Sequence, residues 1–162
     1  MKLAPKALYN IFEEQGINFF TGVPDSTLKH FCFYLEDHVP ESKHVIAANE
    51  GNSIAIAAGY YLSTGEIPLV YMQNSGLGNA MNPLTSLVGK DIFGIPMLIM
   101  MGWRGEPGKN DAIQHLKDGQ IQIEILESLG ISYTIIPSLN QDLKNIIINS
   151  IEKAKENECP HV

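Results

Sequence analysis

Positive charge is scarce in this chain. Lys and Arg number 11 against 18 Asp and Glu, for a formal net charge of -7 over 162 residues. The cations are scattered and form no basic run, which argues against a nucleic-acid partner, because such proteins present a basic face. Cysteine is nearly absent as well. Cys32 and Cys159 lie far apart and fit no metal-ligand or redox spacing. Cys32, inside the apolar run HFCFYL, reads as a reduced core residue. Long hydrophobic runs are missing too, since the most apolar stretch, IPMLIMMGW, is far too short to span a bilayer. The opening MKLAPKALYN lacks the apolar core of a secretory leader. Together these absences lead us to expect a cytoplasmic location without membrane or nucleic-acid partners.

Nucleotide motifs are wanting in the same way. Gly108-Lys109 is followed by Asn110 rather than Ser or Thr, and Trp103 stands where a P-loop has its first Gly. The segment GLGNAM has Gly76 and Gly78 but Met81 in place of the third Gly of a dinucleotide fingerprint. No Asp, Glu or His cluster has a metal-ligand spacing, so no metal site is assigned to these residues.

What is present is a regular alternation. Residues 4 to 15 read as an amphipathic helix with Leu8, Ile11 and Phe12 on one face and Gly16 as its stop. INFFTG, KHVIAA, IPLVYMQ, IPMLIMMG and ISYTII read as strands, and ECPHV reads as the entry to a sixth that is cut off after Val162. Helices are expected through TLKHFCFYLED, behind Glu50, after the loop NSGLGNAMNPLTSLVGK, over Ile113 to Leu129, and from Asn140 onward. Strands alternating with helices imply βαβ units. The expected fold is one α/β domain over residues 1–162, an open parallel sheet of five to six strands with helices on both faces.

In such a sheet ligands gather at the carboxyl ends of the strands. Those ends carry GVPDS, NEGN, QNSGLGN and GWRGEPGKNDAIQH, whereas the opposite loops, EEQG and STGE, look like plain helix exits. Each candidate there has a bland reading beside its functional one. Glu50 follows Asn49, so its charge either complements a helix N-terminus or serves a ligand. Asp25 and Ser26 follow Pro24 and either cap the next helix or do chemistry. Gln73, Asn74 and Ser75 either turn the chain or face a ligand. His115 is a backbone-bonded histidine or an acid/base group. Arg104 is a solvated loop charge or a grip for an anion.

Taken in order, TGVPDS, ANEGNSIAIAAGYYLSTG, YMQNSGLGNAMNPL, IPMLIMMGWRGEPG and IQHLKDGQ resemble the N-terminal half of phosphonopyruvate decarboxylases. They also resemble the related alpha subunits of sulfopyruvate decarboxylases. Both are thiamine-diphosphate-dependent 2-oxo-acid decarboxylases, and the resemblance runs through essentially the whole chain. It implies a pyrimidine-binding domain in which Glu50 bonds the cofactor's pyrimidine nitrogen and favours its imino tautomer. It further implies that Pro24, Gln73, Asn74 and Ser75 face the cofactor. Asp25 and the pair Gln114-His115 would lie near the reacting carbons, with Ser26 beside the substrate. Arg104 and Lys109 are the candidates for the substrate's tetrahedral anion.

One departure is large. The second cofactor domain of these enzymes, whose GDG…NN-type motif holds Mg2+ and the diphosphate, has no counterpart in this sequence. The expectation is therefore a part that cannot turn over alone and is completed by a diphosphate domain, in the rest of a longer chain or in a partner subunit, within a homo-oligomer. Conversion of 3-phosphonopyruvate to phosphonoacetaldehyde and CO2 is the leading activity. The alpha subunit of a sulfopyruvate decarboxylase is the alternative, and a non-catalytic βαβ interaction domain is the competing class.

Overall fold

Short apolar runs separated by polar turns condense into a parallel sheet because each run can be covered on both faces by helices. The structure is a computed structural model describing residues 4–136 and 142–162. In chain order it comprises α1 (Pro5–Glu14), β1 (Phe20–Gly22), α2 (Lys29–His38), β2 (His44–Ile46) and α3 (Glu50–Thr64). There follow β3 (Leu69–Gln73), a 3-10 turn (Asn74–Gly76), α4 (Leu77–Ser86), β4 (Leu98–Gly102), α5 (Ile113–Ser128) and α6 (Leu143–Asn157).

The four strands lie in the order β2-β1-β3-β4 and all pair in parallel. Gly22 is level with both Ile46 and Tyr71, and Gln73 is level with Gly102, so the strand ends share one edge. Two apolar layers cover the sheet. On one face Phe12, Phe31, Leu35 and Ile151 pack with Phe20, Leu69 and Leu98. On the other, Ile54, Ala57, Leu77, Leu84 and Leu126 pack with Val70, Met72 and Ile99. The order reverses between β1 and β3, and the carboxyl edge at such a reversal is where ligands bind in open α/β sheets.

Three expectations need adjustment. NSGLGNAMNPLTSLVGK is not a loop leading to a helix, since most of it is α4 itself. Pro83 sits inside that helix and argues against it locally, but burial of Leu77, Ala80 and Leu84 on the sheet outweighs the lost backbone bond. Second, ISYTII and ECPHV extend the sheet by single bridges rather than as full strands among the described residues. His161 bridges to Leu98 on one side and to Ser132 on the other. Third, Asn140 lies outside the described residues; α6 begins after Asp142.

His161 is 1% exposed and is held between the Ser132 hydroxyl at 2.7 Å from Nδ1 and the Thr134 hydroxyl at 2.9 Å from Nε2. Burial, assisted by the charge of Lys153, pushes its pKa down to about 4. A histidine kept neutral in the fold binds its proton more readily once unfolded, so its stabilisation is complete above the unfolded value near 6.5. That stabilisation drains away as pH falls from about 6.5 to about 4. We expect the urea midpoint to drop across this window, and to drop less in His161→Gln, as followed by far-UV circular dichroism at a series of pH values.

Candidate functional site

Two helix N-termini meet at the carboxyl edge. Asn49 opens α3, its Oδ1 accepting from the Asn52 N–H at 2.9 Å, and Glu50 occupies the first turn. The capping explanation of Glu50 is thus correct as far as it goes, because a carboxylate there complements the helix dipole. The side chain does not stop at its own helix. Asn79, in the first turn of α4, donates from Nδ2 to Glu50 Oε2 at 2.7 Å. Glu50 is only 9% exposed, yet no Lys, Arg or His pairs with it among the described residues. Oε1 accepts no hydrogen bond from any described residue.

Gly76 closes the cluster. A Cβ on it would sit 2.5 Å from Glu50 Oε1, so the carboxylate fits only because nothing projects from that position. The helix behind Glu50 is apolar nearly all round, yet only part of it is buried. Ile54, Ala57 and Ala58 are buried, but Ala48, Asn52, Ala55, Gly59 and Leu62 form an exposed stripe of helical spacing beginning just before α3.

A second cluster gathers around Arg104, just past β4. Its guanidinium makes a forked pair with Asp111, Nε to Oδ2 at 2.8 Å and Nη2 to Oδ1 at 2.6 Å, while Nη1 donates to the Ser26 hydroxyl at 2.8 Å. Asp111 also accepts the N–H groups of Gly105 and Ala112. These donors, the Arg104 guanidinium foremost, hold the Asp111 carboxyl well below the usual carboxylate range. Asn74 exchanges two bonds with the Arg104 backbone, Nδ2 to O at 2.9 Å and N–H to Oδ1 at 3.1 Å. Because Asn74 starts the turn that ends at Gly76, it joins the two clusters.

Asp25, in the turn after β1, is 5% exposed. Its Oδ2 takes the Thr27 N–H at 3.0 Å, the Leu28 N–H at 3.3 Å and the Thr27 hydroxyl, while Oδ1 is buried without a partner among the described residues. Gly102 admits this turn, since a Cβ there would overlap the Asp25 carboxylate. Pro24 and Ser26 flank it on the surface. Gln73 donates to the Ser75 hydroxyl at 2.6 Å, so this pair is engaged locally at the end of β3. Gln114 and His115 sit in the first turn of α5, one exposed and one half-exposed, with no side-chain bond to the described residues. Lys109 is exposed and ion-paired to Glu106.

Sequence reasoning missed Asn79, Gly76 and Asp111. Gly76 and Asn79 are three positions apart, one helical turn, a relation invisible while the segment is taken for a loop. A cavity of about 610 Å³ lies away from Glu50. It opens between β4 and Tyr133–Ile136 and is mainly apolar, with Trp103, Glu106 and Lys109 also lining it. Glu50 is not among the residues that line it. Among the described residues no group of three or more His, Cys, Asp and Glu is arranged to hold a metal. No helix among them is long and apolar enough to cross a membrane.

A parallel α/β sheet with polar groups at the reversal of strand order defines an edge-binding domain of the doubly wound class. Residues 3–131 match the family described as the thiamine pyrophosphate enzyme, N-terminal TPP binding domain. The chain belongs to that family. It is 31% identical over 152 residues to the phosphonopyruvate decarboxylase of Streptomyces viridochromogenes, covering 90% of this chain but 36% of that protein. With the sulfopyruvate decarboxylase subunit alpha of Methanococcus maripaludis it shares 32% over 157 residues, or 97% of this chain and 90% of the relative. The benzoylformate decarboxylase of Polynucleobacter necessarius superposes with a TM-score of 0.70 at 20% identity, over 99% of this chain and 29% of that one. The chain therefore spans about a third of the single-chain phosphonopyruvate relative and most of the alpha subunit.

Asp111→Asn keeps the shape of the Arg104 clamp but removes the charge that the guanidinium and two N–H groups share. We expect residues 103–112 to exchange backbone amide protons faster in that variant at pH 7, as read by hydrogen–deuterium exchange. In the parent chain the clamp is complete above the unfolded carboxylate value near 3.9 and is lost only as pH falls well below it.

Proposed function

We propose that this chain is the pyrimidine-binding part of a thiamine-diphosphate-dependent decarboxylase, with 3-phosphonopyruvate as substrate and phosphonoacetaldehyde and CO2 as products. The observation that carries the reading is the Glu50 carboxylate. One oxygen is taken by Asn79, the other faces a position without a side chain, and no cation neutralises it. A flat ring nitrogen fits such an acceptor, whereas a bulkier donor would meet the backbone at Gly76. Bound there, thiamine diphosphate supplies the carbanion nucleophile and electron sink for loss of CO2 from a 2-oxo acid.

The chain's own share of the work is orientation and proton handling. Glu50 Oε1 shares a proton with the pyrimidine nitrogen and so fixes the ring's protonation state. Asp25, with Oδ1 buried and unpartnered, is a second proton carrier. His115, half-exposed at the head of α5, is a third. Pro24, Gln73, Asn74 and Ser75 line the approach to the ring, and Ser26 and Gln114 lie on the substrate side. Lys109 and Arg104 receive the tetrahedral anion. Lys109 is the readier of the two, since its partner Glu106 is held by a surface pair that costs little to break.

Mg2+ and the diphosphate are assigned to a second domain, carried either by the rest of a longer chain or by a partner subunit. The exposed stripe Ala48, Asn52, Ala55, Gly59 and Leu62 supports an assembly in that direction, as Ala48, Ala55 and Gly59 allow close approach of another domain and Leu62 offers it apolar surface. The coverage of a whole alpha subunit favours a second reading, the alpha subunit of a sulfopyruvate decarboxylase. Assay of the complete protein with phosphonopyruvate and with sulfopyruvate separates the two.

In the complete protein, Glu50→Gln is expected to lower turnover by two or more orders of magnitude, on the scale of about 10² or more for a positioned acid/base group, while the circular dichroism spectrum is unchanged. Near-parental turnover would remove Glu50 from this role. Gly59→Trp, on the exposed stripe, should leave the isolated chain folded and abolish its assembly, as measured by sedimentation.

A further inference from the structure

We infer that Asn79 is the positioning residue for Glu50, the group that decides which carboxylate oxygen meets the pyrimidine ring. The inference rests on the pyrimidine reading of Glu50 given above and adds a residue that the sequence motifs did not single out.

The local geometry is over-determined. A glutamate side chain has three rotatable bonds, and holding it in one rotamer costs conformational entropy that a bound ligand would otherwise have to offset. Asn79 Nδ2, at 2.7 Å from Oε2, fixes that rotamer in advance and uses up one oxygen. The other oxygen is left beside Gly76, where a Cβ would overlap it. Asn79 is itself held by its backbone. Its carbonyl has no intrahelical donor, because the residue four positions on is Pro83, which lacks an N–H. Gly51 packs against that same carbonyl, where a Cβ would come within 2.7 Å of it. Three backbone features, at Gly51, Gly76 and Pro83, therefore bring the first turns of α3 and α4 into register so that one amide meets one carboxylate.

A merely structural asparagine would act differently on ligand binding. It would weaken every ligand of the site alike, whereas a positioning residue weakens only ligands that use the oriented oxygen. The test compares, in the complete protein with its diphosphate domain, the dissociation constants of thiamine diphosphate and of the analogue carrying C–H in place of the pyrimidine nitrogen that Glu50 meets. The parent protein should prefer thiamine diphosphate. Asn79→Ala is expected to cut that preference about ten-fold, the scale of one hydrogen bond to a charged group, and to leave the analogue's affinity unchanged. Asn79→Asp, of nearly the same shape but without the donor, should cut it at least as far. Both variants should lower the urea midpoint, because Glu50 loses a donor, but that loss is common to the two ligands and does not move the preference between them. Equal weakening of both ligands, or a parental preference in both variants, overturns the role of Asn79. Glu50→Gln separates the two levels. If it abolishes the preference while the Asn79 variants keep it, Asn79 alone is wrong, and if it leaves the preference intact, the pyrimidine reading of Glu50 falls with it.

Discussion

A carboxylate withdrawn from water without a cation beside it is the constraint around which this edge is arranged. Desolvating such a charge is costly unless dipoles or donors replace the water. Glu50 receives both, from the N-terminal turn of its own helix and from Asn79 at the N-terminal turn of α4. That solution demands that α3 and α4 converge with almost no space between them. Gly51 and Gly76 supply the clearance, and the sheet positions the two helices by placing β2 and β3 on either side of β1.

The acidic residues of the edge sort by how many of their acceptor sites are already in use. Asp111 has both oxygens engaged, by one guanidinium and two backbone N–H groups, and its work is to fold the loop after β4. Asp25 is half engaged, with Oδ2 organising the turn into α2 and Oδ1 left bare inside the protein. Glu50 is also half engaged, but its remaining oxygen is not among the sealed-off, unpartnered atoms of the described residues as Asp25 Oδ1 is. A group with spare capacity at an opening is available to a ligand. One whose capacity is spent is scaffold.

This sorting explains what the sequence could and could not disclose. The alternation of apolar runs and turn residues located β1 to β4 and α5 within a few residues, because those runs are decided by burial alone. α4 was hidden because Pro83 and the glycines speak locally against a helix, and only the sheet beneath Leu77, Ala80 and Leu84 overrules them. The edge loops were legible as a group through their polar composition. Their internal division was not. Whether Arg104 serves an anion or Asp111 depends on a fork closed across seven residues of loop, which no spacing rule encodes. Asn79 was hidden for the same reason as its helix.

The same accounting bears on how an anionic substrate would be received. Arg104 is held by a two-pronged pair that is only about a fifth exposed, and its remaining donor already meets Ser26. Recruiting it fully would require Asp111 to give up a guanidinium while still bonded to two N–H groups, which would release the loop as well. Lys109 is more than half exposed and its pair with Glu106 is local, so an incoming dianion can exchange places with that carboxylate at little cost. On the proposed reading the Arg104 cluster would act as a preset wall carrying Ser26 toward the substrate, and Lys109 as the charge that meets it. On this division any selectivity between tetrahedral anions would come from the wall, whose geometry is fixed, and the attraction from the lysine, which any such anion would satisfy.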